Sequence, residues 1–252
     1  MTITDEIMQK LYAIEKTMGV EILFAAEAGS RAWGMESKNS DYDIRFIYKR
    51  PLSWYLSICK RRDVIESPDP IFDISGWDLK KALLLLSKSN PPLLEWLSTP
   101  SVYIEGSVAT KLREFAKHHF NPAVAIYHYL HMANGNYRTY LRGEEVQTKK
   151  YLYVIRPLFC CQWLERHHTM PPVFLGELVD DIIENGCDFP KEYVQLLAKK
   201  MRGEELDLGP RIDSLNSWIE TKLDYYAKIA RTTPKLEKVV DDLDEFFFWT
   251  VK

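Results

Sequence analysis

Apolar residues recur at helical spacing in "MTITDEIMQKLYAIEKTMGV" (Ile3, Ile7, Leu11, Ile14), predicting an amphipathic helix with Thr4 as its N-cap. After Gly19 the pattern changes. Val20 to Ala26 is a continuous apolar run, predicted as a first strand. Asp41 to Tyr48 alternates: Tyr42, Ile44, Phe46 and Tyr48 are apolar, while Asp41, Asp43 and Arg45 are charged. That period of two predicts a second strand with one buried face and one face carrying charge. Asp63 to Glu66 and Ile71 to Ile74 predict two short strands joined as a hairpin through "SPDP".

A helix is expected over "SGWDLKKALLLLSKSN", with Ser75 and Asp78 at capping-box spacing and Pro91-Pro92 closing it. Short helices follow at Leu93 to Leu97 and Ala109 to Lys117. From Asn121 onward strand signals fade and helical periodicity dominates. The expected fold is therefore α+β: a small mixed β-sheet core over residues 1–117, then an α-helical domain over residues 118–252.

Composition narrows the classes. A hydrophobic fraction of 46% in 252 residues suffices for a real core, and the net charge of -3 gives no global basic field for a polynucleotide. A nucleotide, or one RNA end held in a local basic groove, is compatible with that charge; Lys60-Arg61-Arg62 reads first as a charged surface turn, with an RNA contact as the alternative. The N-terminal segment lacks a signal-peptide pattern, and the strongest apolar run, Ala82 to Leu86, is too short to span a bilayer. Cys59, Cys160, Cys161 and Cys187 form no C-x-x-C pair, so a reduced, cytoplasmic, membrane-free protein is expected. His118-His119 and His167-His168 lack zinc-ligand spacing to any cysteine. The terminal "EFFFWTV" is expected to dock on the helical domain.

The candidate chemistry starts from "GSRAWGMESKNSDYDIRFIY". Asp41 and Asp43 leave the same face of a strand. Two carboxylates at roughly 4–6 Å repel by about 3–4 kcal/mol at an effective dielectric near 20. A hard divalent cation relieves that repulsion. Asp73, in "IFDIS", is the expected third carboxylate, and with it the site holds two ions. Asp78 is set aside because capping gives it a structural role. Gly29 permits close backbone approach, and the amides that follow, with the Ser30 hydroxyl, suit phosphate oxygens. Arg31 adds charge, and Ser40 stands beside Asp41 to support a carboxylate or a phosphate.

Gly-Ser, about ten residues, then Asp-x-Asp resembles the signature of the polymerase-β-like nucleotidyltransferase superfamily. "SDYDIRFIY", "RDVIE", "DISGWDLKKALLLLSKSNPPLLEWL" and "KKYLYVIRPL" resemble its RNA-ligase-associated, RNA-repair branch, over roughly residues 27–160. The resemblance implies a palm-like catalytic domain, a helical domain closing its cleft, and transfer of a nucleoside monophosphate from an NTP, with ATP expected, to an acceptor hydroxyl with loss of pyrophosphate. It implies Mg²⁺ or Mn²⁺ on Asp41, Asp43 and Asp73, with Asp73 also activating the nucleophile. The acceptor stays open between an RNA end, a protein and a small molecule, and a non-catalytic, antitoxin-like nucleotide-binding module is the remaining alternative.

In "QTKKYLYVIRPLFCCQWLE", Lys149, Tyr153 and Arg156 share one helical face, with Pro157 set to kink it. The two cations suit a triphosphate and Tyr153 a base or ribose. A frayed helix start exchanges Lys149 for Lys150.

Overall fold

Why the charged strand is tolerated becomes plain from its place in the sheet. The computed structural model describes residues 2–67, 69–186, 189–204, 206–232 and 240–252. Its main sheet contains β1 (Glu21–Ala28), β2 (Tyr42–Lys49), β3 (Val64–Ser67), β4 (Phe72–Asp78) and β5 (Val102–Glu105), in the order β3-β4-β2-β1-β5. β2 and β4 run parallel; the other neighbours are antiparallel. The fold is α+β, as expected, although β5 was not anticipated from its short, partly exposed sequence.

Alternation along β2 separates two apolar layers. Ile44, Phe46 and Tyr48 meet Ile7, Leu11 and Ile14 of the helix Ile3–Met18 on one side. On the other, Ile47 joins Leu23, Phe24 and the helices Leu79–Leu86, Pro91–Ser98 and Ser107–His119. Leu23 and Phe24 reach the same layer because the β1–β2 register shifts between Ile22 and Phe24. Asp43 and Arg45 lie on the Ile47 side of β2, nearer its start.

Several local expectations need correction. The first helix is capped by Thr2, not Thr4, because Asp5 stands three residues beyond Thr2 and completes a capping box. Ser75 lies inside β4, which continues to Asp78 because β2 and β3 pair with it on both edges. Asp78 is itself the N-cap, accepting from Lys80 N at 2.9 Å. Pro91 starts a new helix rather than closing the old one, with Asn90 as its cap.

The chain divides into two compact units. The first contains Met1–Ala32, Asp41–Phe120 and Glu237–Lys252; the second contains Trp33–Ser40 and Asn121–Leu236. This division differs from a single boundary at residue 118, which falls inside the helix Ser107–His119. It also corrects the expected docking of the C-terminal aromatics on the helical domain. The helix Asp241–Val251 packs in the first unit, with Phe246 against Phe115 and Phe247 against Tyr55, ring centroids 5.2 and 5.0 Å apart. His119 Nε2 lies 2.7 Å from Asp242 Oδ2 at the same contact.

In the second unit the helix Lys150–His167 is buried almost all round, which keeps Pro157 within a single helical element despite its missing donor. Helices Pro122–Tyr140 and Asp213–Thr232 pack along it, and Tyr151 Oη donates to Asn216 Oδ1 at 2.6 Å. A small ribbon pairs β6 (Glu145–Gln147) with β7 (Leu208–Pro210). Cys59, Cys160 and Cys161 are free thiols; Cys187 lies outside the described residues. Among the described residues no helix is long and apolar enough to cross a membrane.

Candidate active site

β1 ends directly opposite the charged strand, with Ala28 paired to Asp43. Gly29 follows with φ +59° and opens a single helical turn, Gly29–Ala32. A side chain at Gly29 has no room: a Cβ there would lie 2.0 Å from Asp43 Oδ2. The Gly-Ser motif and the Asp-x-Asp strand are thus in direct contact. Ser30 is buried. Arg31 folds back on β2, its guanidinium 3.8 Å from the Tyr42 ring centre and its Nε donating to Asp41 O at 3.1 Å.

Parallel register brings the second carboxylate in. Asp43 of β2 and Asp73 of β4 are direct partners, although thirty residues apart. Arg45 Nη2 lies between them, 2.9 Å from Asp43 Oδ1 and 2.6 Å from Asp73 Oδ2, and its Nη1 donates to Asp73 O at 2.6 Å. Asp73 is the more open carboxylate, with 60% of its side chain exposed against 26% for Asp43. Asp41 is exposed at the entrance to the strand. Burial raises the Asp43 carboxyl above its ordinary 3.8; Arg45 opposes that shift, while Asp73 and Asp41 add to it.

Glu27 is a part of this arrangement that sequence reading missed. It sits in the apolar run of β1, is 4% exposed, and accepts the Asp43 amide at 2.8 Å through Oε1. Its Oε2 accepts from Tyr103 Oη of β5. Burial raises its pKa, and the two hydrogen bonds pull it back only partly. A lone Glu interrupting "ILFAAEA" was the available signal, since a charge in such a run needs a partner.

The donor set suits a cation. Asp43 and Asp73 already share one positive charge, the Arg45 guanidinium, and hard carboxylate oxygens are the ordinary ligands of Mg²⁺ or Mn²⁺. Among the described residues, no three His, Cys, Asp or Glu side chains converge into a ready-made metal cage.

Ser40 belongs to the second unit's Trp33–Ser40 segment, where its hydroxyl accepts from Ser37 N at 2.9 Å. That segment is tied into the helical unit: Trp33 O accepts from Leu175 N at 2.9 Å, Met35 O accepts from buried Lys200, and Gly34 lies under the Phe174 ring. Lys149, Lys150, Tyr153 and Arg156 all belong to the same unit. Lys149 is exposed at the helix start, whereas Lys150 Nζ lies 4.4 Å from the Tyr140 ring centre. Tyr153 meets Trp33 edge-on at 5.8 Å. Arg156 departs from its expected ligand role: it is 2% exposed, donates to Val173 O at 3.1 Å and lies 4.3 Å from the Trp33 ring centre. Its guanidinium serves the packing of the helical unit.

Residues 3–248 match the model of the RNA repair pathway DNA polymerase beta family. An uncharacterized protein, YcgL, from Bacillus subtilis (strain 168) is 45% identical over 249 residues, covering 98% of this chain and 95% of that protein. A crystal structure of a nucleotidyltransferase-like protein from Exiguobacterium sibiricum 255-15 aligns with 89% of this chain and 74% of its own, at 13% identity and a TM-score of 0.33.

Proposed function

The chain belongs to the RNA repair pathway DNA polymerase beta family, and from that premise we propose that it moves a nucleoside monophosphate from an NTP, ATP foremost, to the hydroxyl of an RNA end. The observation that carries the reading is the register pair Asp43–Asp73, set against a glycine that tolerates no side chain. Asp43 and Asp73, with Asp41 at the rim, are the residues that would hold Mg²⁺ or Mn²⁺. Such ions, when bound, neutralise phosphate charge and lower the pKa of the attacking hydroxyl. The chain's own contribution is positional. Gly29 lets the backbone approach closely, and the turn it opens would offer its amides and the Ser30 hydroxyl to phosphate oxygens. Glu27 fixes the Asp43 backbone, and Arg45 holds both carboxylates in place.

A second reading, a nucleotide-binding module without turnover, draws on the same Arg45, whose guanidinium already bridges the two carboxylates. One assay separates the two. Purified protein is incubated with α-³²P ATP, Mg²⁺ or Mn²⁺, and RNA, protein or small hydroxyl acceptors. Label transfer to RNA with pyrophosphate release, abolished by Asp43→Asn, is expected. Label on protein or a small molecule instead would reassign the acceptor. ATP binding without pyrophosphate release under any condition would favour the second reading.

A further inference from the structure

At the other end of β2 and β4 the first unit has a cleft of about 430 Å³. Asp78, the last residue of β4, lies on its lining, five residues beyond Asp73 along the same strand. At about 3.3 Å per residue that is about 17 Å, beyond the reach of the phosphates of one NTP held at the carboxylates. The lining is strongly basic: Lys60, Arg61, Arg62, Lys80 and Lys81 against only Asp63 and Asp78. A local surplus of positive charge in a chain of net charge -3 calls for an anionic ligand.

The acids in the cleft leave most of that charge uncommitted. Asp78 accepts from Lys80 N and from Tyr55 Oη, both at 2.9 Å, and Asp63 pairs with Lys81 at 3.2 Å. Arg62 pairs with Glu66. Lys60, Arg61 and Lys80 take part in none of the ion pairs among the described residues, and all three are exposed. Beside them stands a stack of planar groups: the Trp54 ring lies 4.2 Å from the Arg61 guanidinium and 3.8 Å from that of Arg50. Spaced cations beside guanidinium and indole planes match a strand of alternating phosphates and bases better than a compact anion.

We propose that this cleft binds the phosphate backbone of single-stranded RNA, the acceptor strand of the transfer reaction. The identity of the strand rests on the RNA-acceptor reading above; the polyanion site rests on the cleft alone. The test measures binding without turnover. Anisotropy of a labelled, unstructured 20-nucleotide RNA is titrated across salt with wild type and with a Lys60→Glu/Lys80→Glu variant, melting temperature and ATP affinity serving as controls. The variant should melt like wild type, keep its ATP affinity and lose at least about tenfold in RNA affinity, with a salt slope smaller by about 1.4 for two lost phosphate contacts. A second variant, Arg61→Ala, should weaken RNA binding as well. Unchanged RNA affinity, loss of ATP binding with RNA binding intact, or equal loss of binding to polyglutamate would each overturn the proposal. Asp43→Asn, assayed for pyrophosphate release, tests the chemistry independently, so failure of one reading is distinguishable from failure of the other.

Discussion

Gly29 and Asp43 are in such close contact that any side chain at position 29 would collide with the Asp43 carboxylate. The glycine of the Gly-Ser turn therefore has a steric role. It leaves the space in which one carboxylate of the candidate site stands. Gly29→Ala should disturb Asp43 directly and add about 1–2 kcal/mol of left-handed backbone strain. Activity should fall by more than the loss of folded protein explains, as read from turnover beside a denaturant melt. Wild-type turnover in a folded Gly29→Ala variant would show that the close approach has no bearing on catalysis.

The acidic positions on β2 and β4 should separate cleanly. Asp43→Asn and Asp73→Asn should each reduce turnover on the order of a hundredfold or more, the scale on which preorganised charge acts, with Asp73→Asn affecting rate more than NTP affinity. Asp78→Ala should instead cost about 2 kcal/mol, from a lost N-cap and a Tyr55 hydroxyl that keeps the Arg50 amide as donor but loses its acceptor, with the KM for NTP unchanged. Equal kinetic damage at positions 73 and 78 would assign the third carboxylate wrongly.

Arg45 stands between the two carboxylates that would hold a cation. Arg45→Met should destabilise the metal-free protein by about 1 kcal/mol, a small figure because the half-open Asp73 is screened by solvent. Added Mg²⁺ should then raise the variant's Tm more than that of wild type, since no guanidinium has to be displaced. Identical Mg²⁺-induced shifts in the two proteins would argue against competition for one position.

Glu27 gives a pH signature. Its carboxyl is raised in the folded protein by burial, so the folded state holds the proton more tightly than the unfolded chain. That contribution is fully present below the ordinary 4.5 and is lost as pH rises through the folded value. Asp43 and Asp78, also raised by burial, add the same sign. Asp69, lowered to about 2 by Lys10, acts oppositely and only in stronger acid. Glu27→Gln should flatten the decline of urea stability above pH 4.5 while retaining an acceptor for the Asp43 amide. An unchanged pH profile would remove Glu27 from the account.

Much of this was legible in the sequence wherever the determining contacts are local. Alternation in Asp41 to Tyr48 identified β2 and its charged face, because successive side chains of a strand leave opposite sides whatever packs on them. Helical spacing found the first helix, but its cap was misplaced by two residues: Thr2 and Thr4 offer the same hydroxyl, and only the reciprocal Asp5 contact distinguishes them. Ser75 looked like a helix start for the same reason. Its strand character comes from pairing on both edges of β4, which no window around residue 75 contains.

The sequence by itself determined the α+β class, the strand with its two aspartates and the Gly-Ser turn before it, since each is written in side-chain types a few residues apart. Tertiary structure alone decided that Asp73 stands opposite Asp43, that Glu27 secures it from β1, that Arg45 fills the space between them, and that Arg156 is buried under Trp33. It also carried Trp33–Ser40 into the helical unit and the final helix back to the first. These are pairings across tens or hundreds of residues, set by which surfaces bury one another, and local periodicity holds no record of that choice.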